Sequence, residues 1–263
     1  MTLTFTPSPE PIEHTTSRSF PILDILHPRE HLRLIAVSGS LALGSAIVSR
    51  VVFNWVLWQA VALVLIVMAV PATIKWRSDA RCFGRAAAVA GALVTLQGLH
   101  TVEHVTQWVQ RHILHEPLRQ ANGLLSPANS EWIHFLWNWS VMIPVVYLMS
   151  KGMRGFWGWA LFAWAFAHTL EHTYMFVRYI QVTRELHALG FDDVTAQGLP
   201  GIVGQGGWLD LSAGPKLQMI CGFPGITTAD RVDAHFTWNT GEILLAIPAV
   251  HIFLRTKVDA FRR

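Results

Sequence analysis

Apolar runs of about 20 residues, each bounded by charged or polar positions, recur six times along the chain, and a helix of ~20 apolar residues spans a ~30 Å hydrocarbon core. The first two runs form one block about twice the length of a single span. A turn is therefore expected near 49–54, with helices over 33–51 and 54–74 on either side. The remaining four runs fall over 86–110, 132–150, 156–180 and 235–254. The pattern predicts an all-α, polytopic integral membrane protein with six transmembrane helices. Its segments are an N-terminal stretch 1–30, helices one and two within 31–75, two units over 86–150 and 156–255, and a tail 256–263. The first 30 residues carry Pro, Ser, Thr and charges without an apolar run, so no cleavable signal peptide is expected and the first span acts as the insertion signal.

The two units repeat one another. HTVEH at 100–104 is followed by HFLWN at 134–138, and HTLEH at 168–172 is followed by HFTWN at 235–239. Each unit reads as a helix running outward, an outer loop and a helix running back, so helices three to six are expected to form a four-helix bundle. The second outer loop, 181–234, is long and rich in Gly and Pro yet also apolar, which favours a packed lid over a linker. Ala36, Ser40 and Gly44 give the first helix a small-residue face that admits a neighbouring helix.

Composition agrees with this reading: 52% of residues are hydrophobic and only 14% charged, the balance of a membrane protein. Lys and Arg accumulate before the first helix, after the second, between the fourth and fifth, and after the sixth. Basic residues favour the cytoplasmic side of short loops, so both termini are expected in the cytoplasm of a bacterial-type inner or plasma membrane. The basic pI near 9.1 then follows from topology, and no nucleic-acid partner is expected. Cys82 and Cys221 fall on opposite sides and cannot pair within one chain.

Candidate chemistry lies in the repeat. Residues i, i+3 and i+4 share a helix face, so His100, Glu103 and His104 project together, as do His168, Glu171 and His172. Gln107 extends the first stripe. His134 with Asn138, and His235 with Asn239, share faces at i, i+4, and Glu242 continues the sixth helix's polar face. The HxxEH motifs end outward-going helices and the HFxWN motifs begin inward-going ones, so all four meet at one depth, toward the outer face. Ionisable groups at that depth are costly unless paired, hydrated or bound to a metal. Imidazole and carboxylate suit Fe, Cu or Zn, and helical bundles build dinuclear centres from such spacings.

Two transition-metal ions are therefore expected, Fe or Cu before Zn, each taking three of His100, His104, His134, His168, His172 and His235. Glu103 and Glu171 are expected as terminal or bridging ligands or as the catalytic proton carriers. Asn138, Asn239, Glu242 and Gln107 would hold the ligands in place, and Trp137 and Trp238 would wall the cavity. The leading expectation is an oxidoreductase of the monooxygenase or hydroxylase type, acting on a lipophilic or small apolar substrate with electrons from a redox partner. HxxEH also resembles the inverzincin signature, which implies two zinc-bound His and a Glu base, hence an intramembrane zinc hydrolase as the alternative. The density of intramembrane His is similar to that of membrane di-iron hydroxylases and desaturases, whose HxxxH and HxxHH boxes are absent. Metal transport or sensing, or bis-His haem b for electron transfer, complete the alternatives. His251, without a partner at its depth, is expected to pack, and His112, His115 and His187 to be solvated loop residues.

Overall fold

The computed structural model describes residues 20–210 and 228–258. The segment 1–19, part of the long outer loop with Cys221, and the last five residues of the tail lie outside the described residues. Seven α-helices account for most of what is described, with no strand among the described residues: α1 (Pro21–Leu26), α2 (Leu32–Val52), α3 (Leu57–Cys82), α4 (Arg85–His112), α5 (Glu131–Ser150), α6 (Phe156–Ala188) and α7 (Arg231–Lys257). Three stretches are long and apolar enough to cross a membrane: Pro21–Val52, Leu57–Cys82 and Glu131–Ser150. Helices α4, α6 and α7 are long enough at 28, 33 and 27 residues. Their His, Glu, Gln and Asn lower the hydropathy, which is why composition alone does not mark them as spans.

Those polar residues face inward. Helix α4 buries Gln97, Glu103, His104 and Gln107 while exposing Leu96, Leu99, Val102 and Val105. Helix α6 buries His168, Glu171 and His172 and exposes Phe166, Leu170 and Val177, and α7 buries His235, Asn239 and Glu242 beneath exposed Leu244 and Ile247. A polar interior inside an apolar surface is the distribution that hydrocarbon favours and water opposes.

Contacts run from α4 to α5, α5 to α6, α6 to α7 and α7 back to α4, closing a four-helix ring, with the α2–α3 pair attached through α3 against α4. One end of the ring is an apolar core of Leu93, Val94, Val145, Leu148, Leu161, Val250, Phe253 and Leu254. The other end holds the imidazoles. Trp164 crosses between α6 and α7 by donating its indole N–H to the Trp238 carbonyl at 2.8 Å. That crossing depends on Gly241, where a Cβ would lie 2.4 Å from the Trp164 ring. Gly241→Ala is expected to destabilise the protein by about 1–3 kcal/mol through overpacking, read as a lower unfolding temperature in detergent.

Four boundaries differ from the sequence expectation. Within the N-terminal segment 1–30, α1 inserts Ile22 and Ile25 into the apolar end of the ring. The buried Lys75 ammonium holds it there, donating to the Ile25 carbonyl at 2.6 Å while pairing with Asp79 at 2.5 Å. This i, i+4 pair lets α3 continue eight residues past 74. Helix α6 likewise runs to Ala188 instead of 180, so His187 is helical. Helix α7 starts earlier, at Arg231, because Asp230 caps it by accepting the Asp233 N–H at 3.0 Å.

Candidate metal centre

Helical spacing brings His100 and His104 to the interior from α4, and His168 and His172 from α6. The first turns of α5 and α7 add His134 and His235. The six rings form one continuous cluster. His100 lies 4.6 Å from His104, and His104 is 5.5 Å from both His134 and His235, centroid to centroid. His172 lies 4.9 Å from His134, 5.0 Å from His235 and 5.0 Å from His168. The two expected tryptophans close its ends, Trp137 at 4.7 Å from His100 and Trp238 stacked at 5.3 Å on His168. Five of the six imidazoles are buried and His100 is nearly so.

One nitrogen of most rings is tied down. His134 Nδ1 donates to the Ser130 carbonyl at 3.3 Å and His235 Nδ1 to the Arg231 carbonyl at 2.7 Å, the same i−4 contact in both units. His168 Nδ1 meets Glu242 at 2.8 Å, and His104 Nδ1 meets the Gln107 side-chain oxygen at 3.0 Å. A carbonyl oxygen only accepts, so Nδ1 carries the proton in His134 and His235 and Nε2 carries a lone pair. Those Nε2 atoms, with His168 Nε2 and both nitrogens of His172, are buried without a hydrogen-bond partner in the protein. Leaving such groups unmatched costs about 1–3 kcal/mol each. Anchoring one ring nitrogen on a carbonyl, amide or carboxylate while the other is bare is how metal-binding histidines are held.

His100 and His104 also stand at ligand spacing, their facing nitrogens within hydrogen-bond reach of one another. His100 Nε2 and His104 Nε2 are 3.2 Å apart, near the ~3.3 Å separation that two nitrogens take at about 2.0–2.1 Å from one tetrahedral ion. Donor atoms of His100, His104 and His134 all lie within 4.8 Å of one another. The corresponding trio of the second unit, His168, His172 and His235, does not reach that spacing. Symmetry fails there for a chemical reason: Gln107 orients His104, whereas its counterpart beside His172 is Met175, and Glu242, which takes His168, has Val141 as its counterpart.

Glu103 and Glu171 are both engaged by the outer loops. The Glu103 carboxylate accepts the backbone N–H groups of Leu124 and Leu125 at 2.9 and 3.0 Å. Glu171 accepts those of Ile202 and Val203, at 3.0 and 3.2 Å to its nearer oxygen. Each carboxylate thus clamps an outer loop, and each clamp needs a glycine. A Cβ on Gly123 would lie 2.1 Å from Glu103 Oε1, and one on Gly201 would lie 1.8 Å from Glu171 Oε1. The segments Gly123-Leu124-Leu125 and Gly201-Ile202-Val203 extend the internal repeat into the loops, a signal carried by the sequence outside its helical motifs.

The supporting residues divide in the same way. Asn138 and Asn239 each donate to the carbonyl of their own motif histidine at 2.9 Å, fixing the first turn of each returning helix. Gln97 donates to Asn239 at 3.1 Å and Glu242 at 3.3 Å, and accepts the Trp137 indole N–H at 3.3 Å. Glu131 and Arg231 did not stand out in the sequence. Glu131 is fully buried, bonds Arg231 at 2.8 Å and accepts the Gly198 N–H at 3.2 Å, docking the second loop onto α5. The stripes that mark His134 and His235 reach these two residues when followed one turn back, to i−3 and i−4.

Other histidines lie away from the cluster. His112 is in the last turn of α4, not a loop, and bonds Asp233 at 2.7 Å; beside it Arg111 bonds Asp230 at 3.3 Å, so α4 is tied to the start of α7. His115 is an exposed loop residue. His251 faces Phe20 at 5.7 Å at the opposite end of α7. Comparison with known proteins returned no matching family model, no matching curated protein and no matching solved structure.

Proposed function

We propose that the six imidazoles form a membrane-embedded transition-metal centre and that the protein is a metal-dependent oxidoreductase. The observation that carries this reading is the set of buried, partnerless ring nitrogens whose opposite nitrogens are held by Ser130, Arg231 and Glu242. In this reading α4, α6 and α7 cross the bilayer with α2, α3 and α5, the termini are cytoplasmic, and the centre lies toward the outer face. His100, His104 and His134 hold one ion. His168, His172 and His235 provide a second, differently shaped position, so a dinuclear centre is asymmetric. The metal supplies electron transfer and activation of a bound small molecule, and a redox partner supplies electrons.

Several observations favour this class over its competitors. An imidazole-rich donor set suits Cu or Fe. A zinc hydrolase needs a carboxylate base at the metal, and Glu103 and Glu171 are engaged by loop N–H groups instead. Transport needs a path through the bundle, whose other end is packed with apolar side chains and filled by Ile22 and Ile25. Rings only 4.6–5.5 Å apart across the cluster leave no slab for a porphyrin. The cavity that touches the imidazoles has Gln107, Asn122, Asn129 and Arg231 in its lining beside Leu118, Ala121 and Val232, which suits a small reactant with a polar end better than a wholly lipophilic one.

Elemental analysis and an absorption spectrum of the purified protein in detergent test the reading. Fe or Cu at one to two ions per chain is the expected result. Zn alone moves the assignment to hydrolysis, a Soret band moves it to haem, and a folded protein that takes up no metal refutes it.

A further inference from the structure

The charge balance of the cluster leads beyond the metal reading on which it rests. Six imidazoles bind a cation as neutral ligands, so a divalent ion would keep its full charge in a buried, low-dielectric site. Such a charge is stable only when compensated nearby. Of the four buried carboxylates on the motif helices, two are turned to loop backbone, Glu103 to Leu124 and Leu125, and Glu171 to Ile202 and Val203. Glu242 touches the cluster, but through His168 Nδ1 at its far end. On the His100–His104–His134 side the buried carboxylate is Glu131, one turn before His134, and it is already paired with Arg231 at 2.8 Å.

A cleft reaches that same side. It opens between the α4–α5 loop and the first turn of α7, with His104, His134 and His235 as its floor and Arg231, Gln107 and Asn129 around it. Its volume is about 100 Å³, room for about three waters at ~30 Å³ each. Arg231 bonds Glu131 at 2.8 Å and the Leu199 carbonyl at 3.4 Å, which leaves part of a guanidinium with five N–H groups free to donate. We propose that this cleft is the reactant site of the centre. It admits a small anion of about two to four heavy atoms from the outer aqueous side, between Arg231 and the partnerless Nε2 atoms of His134 and His235, with His104 beside them. The anion completes the coordination of the ion and balances its charge, and Arg231 selects it by charge.

Azide added to the full-length protein reconstituted with Co(II) in detergent tests this, with the visible Co(II) bands as the readout. Cobalt content is measured first. The wild type is expected to show a saturable azide-dependent band shift, and Arg231→Gln to require about tenfold more azide at unchanged cobalt content, the effect of removing a charged donor. Leu118→Trp alters an exposed residue on the cleft wall, so it retains the fold and is expected to weaken or slow azide binding by steric closure. Should Arg231→Gln misfold, Leu118→Trp alone decides. A wild type whose cobalt bands ignore azide overturns the anion site while leaving the metal reading intact. Azide binding equal to wild type in the folded cleft variants does the same. Failure to bind cobalt overturns both.

Discussion

His134→Ala is expected to strip the protein of most of its metal, while His251→Ala keeps it at the wild-type level. The two substitutions are alike in size, chemistry and helical setting, so differences in helix propensity cancel. They differ in what the ring does. His134 Nδ1 is anchored on the Ser130 carbonyl, its Nε2 is buried without a partner, and its donor atom belongs to the trio with His100 and His104. The His251 ring lies against Phe20 at the apolar end of the ring. Loss of a group that merely orients a ligand typically costs about 10–100-fold in metal affinity, so removal of the ligand itself is expected to cost at least the upper part of that range. Metal per chain, measured at matched protein concentration after gel filtration, is the readout. Equal retention in the two variants would refute the site as drawn.

Glu103→Ala carries the largest expected cost in stability, and its outcome separates a loop clamp from a metal ligand. The substitution removes the acceptor for two backbone N–H groups, those of Leu124 and Leu125. Hydrogen bonds to a charged acceptor contribute about 1.5–3 kcal/mol each, so a loss of about 3–6 kcal/mol is expected. Amide exchange should accelerate at Leu124 and Leu125 before it does in the helices, because the loop is released first. Glu103→Gln keeps one acceptor oxygen and is expected to fall between, with its metal content retained. If Glu103→Gln instead empties the metal site and leaves exchange in the loop unchanged, Glu103 is a ligand and the clamp is wrong. Gly123→Ala reaches the same clamp from the other side: its Cβ would meet the carboxylate at 2.1 Å, at a backbone φ of +70° that favours glycine.

Much of this arrangement was legible in the chain. Periodicity located the six long helices to within a few residues at most ends, and the doubled HxxEH and HFxWN motifs picked out all six clustered imidazoles. Gln107, Glu242, Trp137 and Trp238 were legible too, because helical spacing alone aims them where His104, His168 and the cluster ends lie. The loop contacts of Glu103 and Glu171 were not. A carboxylate at i+3 sits at the margin of the histidine stripe, and its choice between the cluster and the loop depends on backbone N–H groups about 20 and 30 residues away in sequence, beyond the reach of any helical period. Glu131 and Arg231 escaped for a similar reason. Their ion pair joins two helix starts separated by 100 residues of chain, and each residue on its own reads as an ordinary helix-end charge.

What the sequence determined by itself is therefore the set of helices, the inward face of each and the identity of the imidazoles. These follow from local geometry, in which 3.6 residues per turn and the cost of polar groups in an apolar setting leave few choices. Tertiary structure alone decided the rest. It brought three histidines of one unit to ligand spacing and not their counterparts. It turned both motif glutamates onto loop N–H groups, seated α1 in the apolar end, and left a cleft beneath Arg231. Each of these outcomes rests on contacts between distant segments, where a single exchanged partner, Gln107 for Met175 or Glu242 for Val141, makes two similar units chemically different.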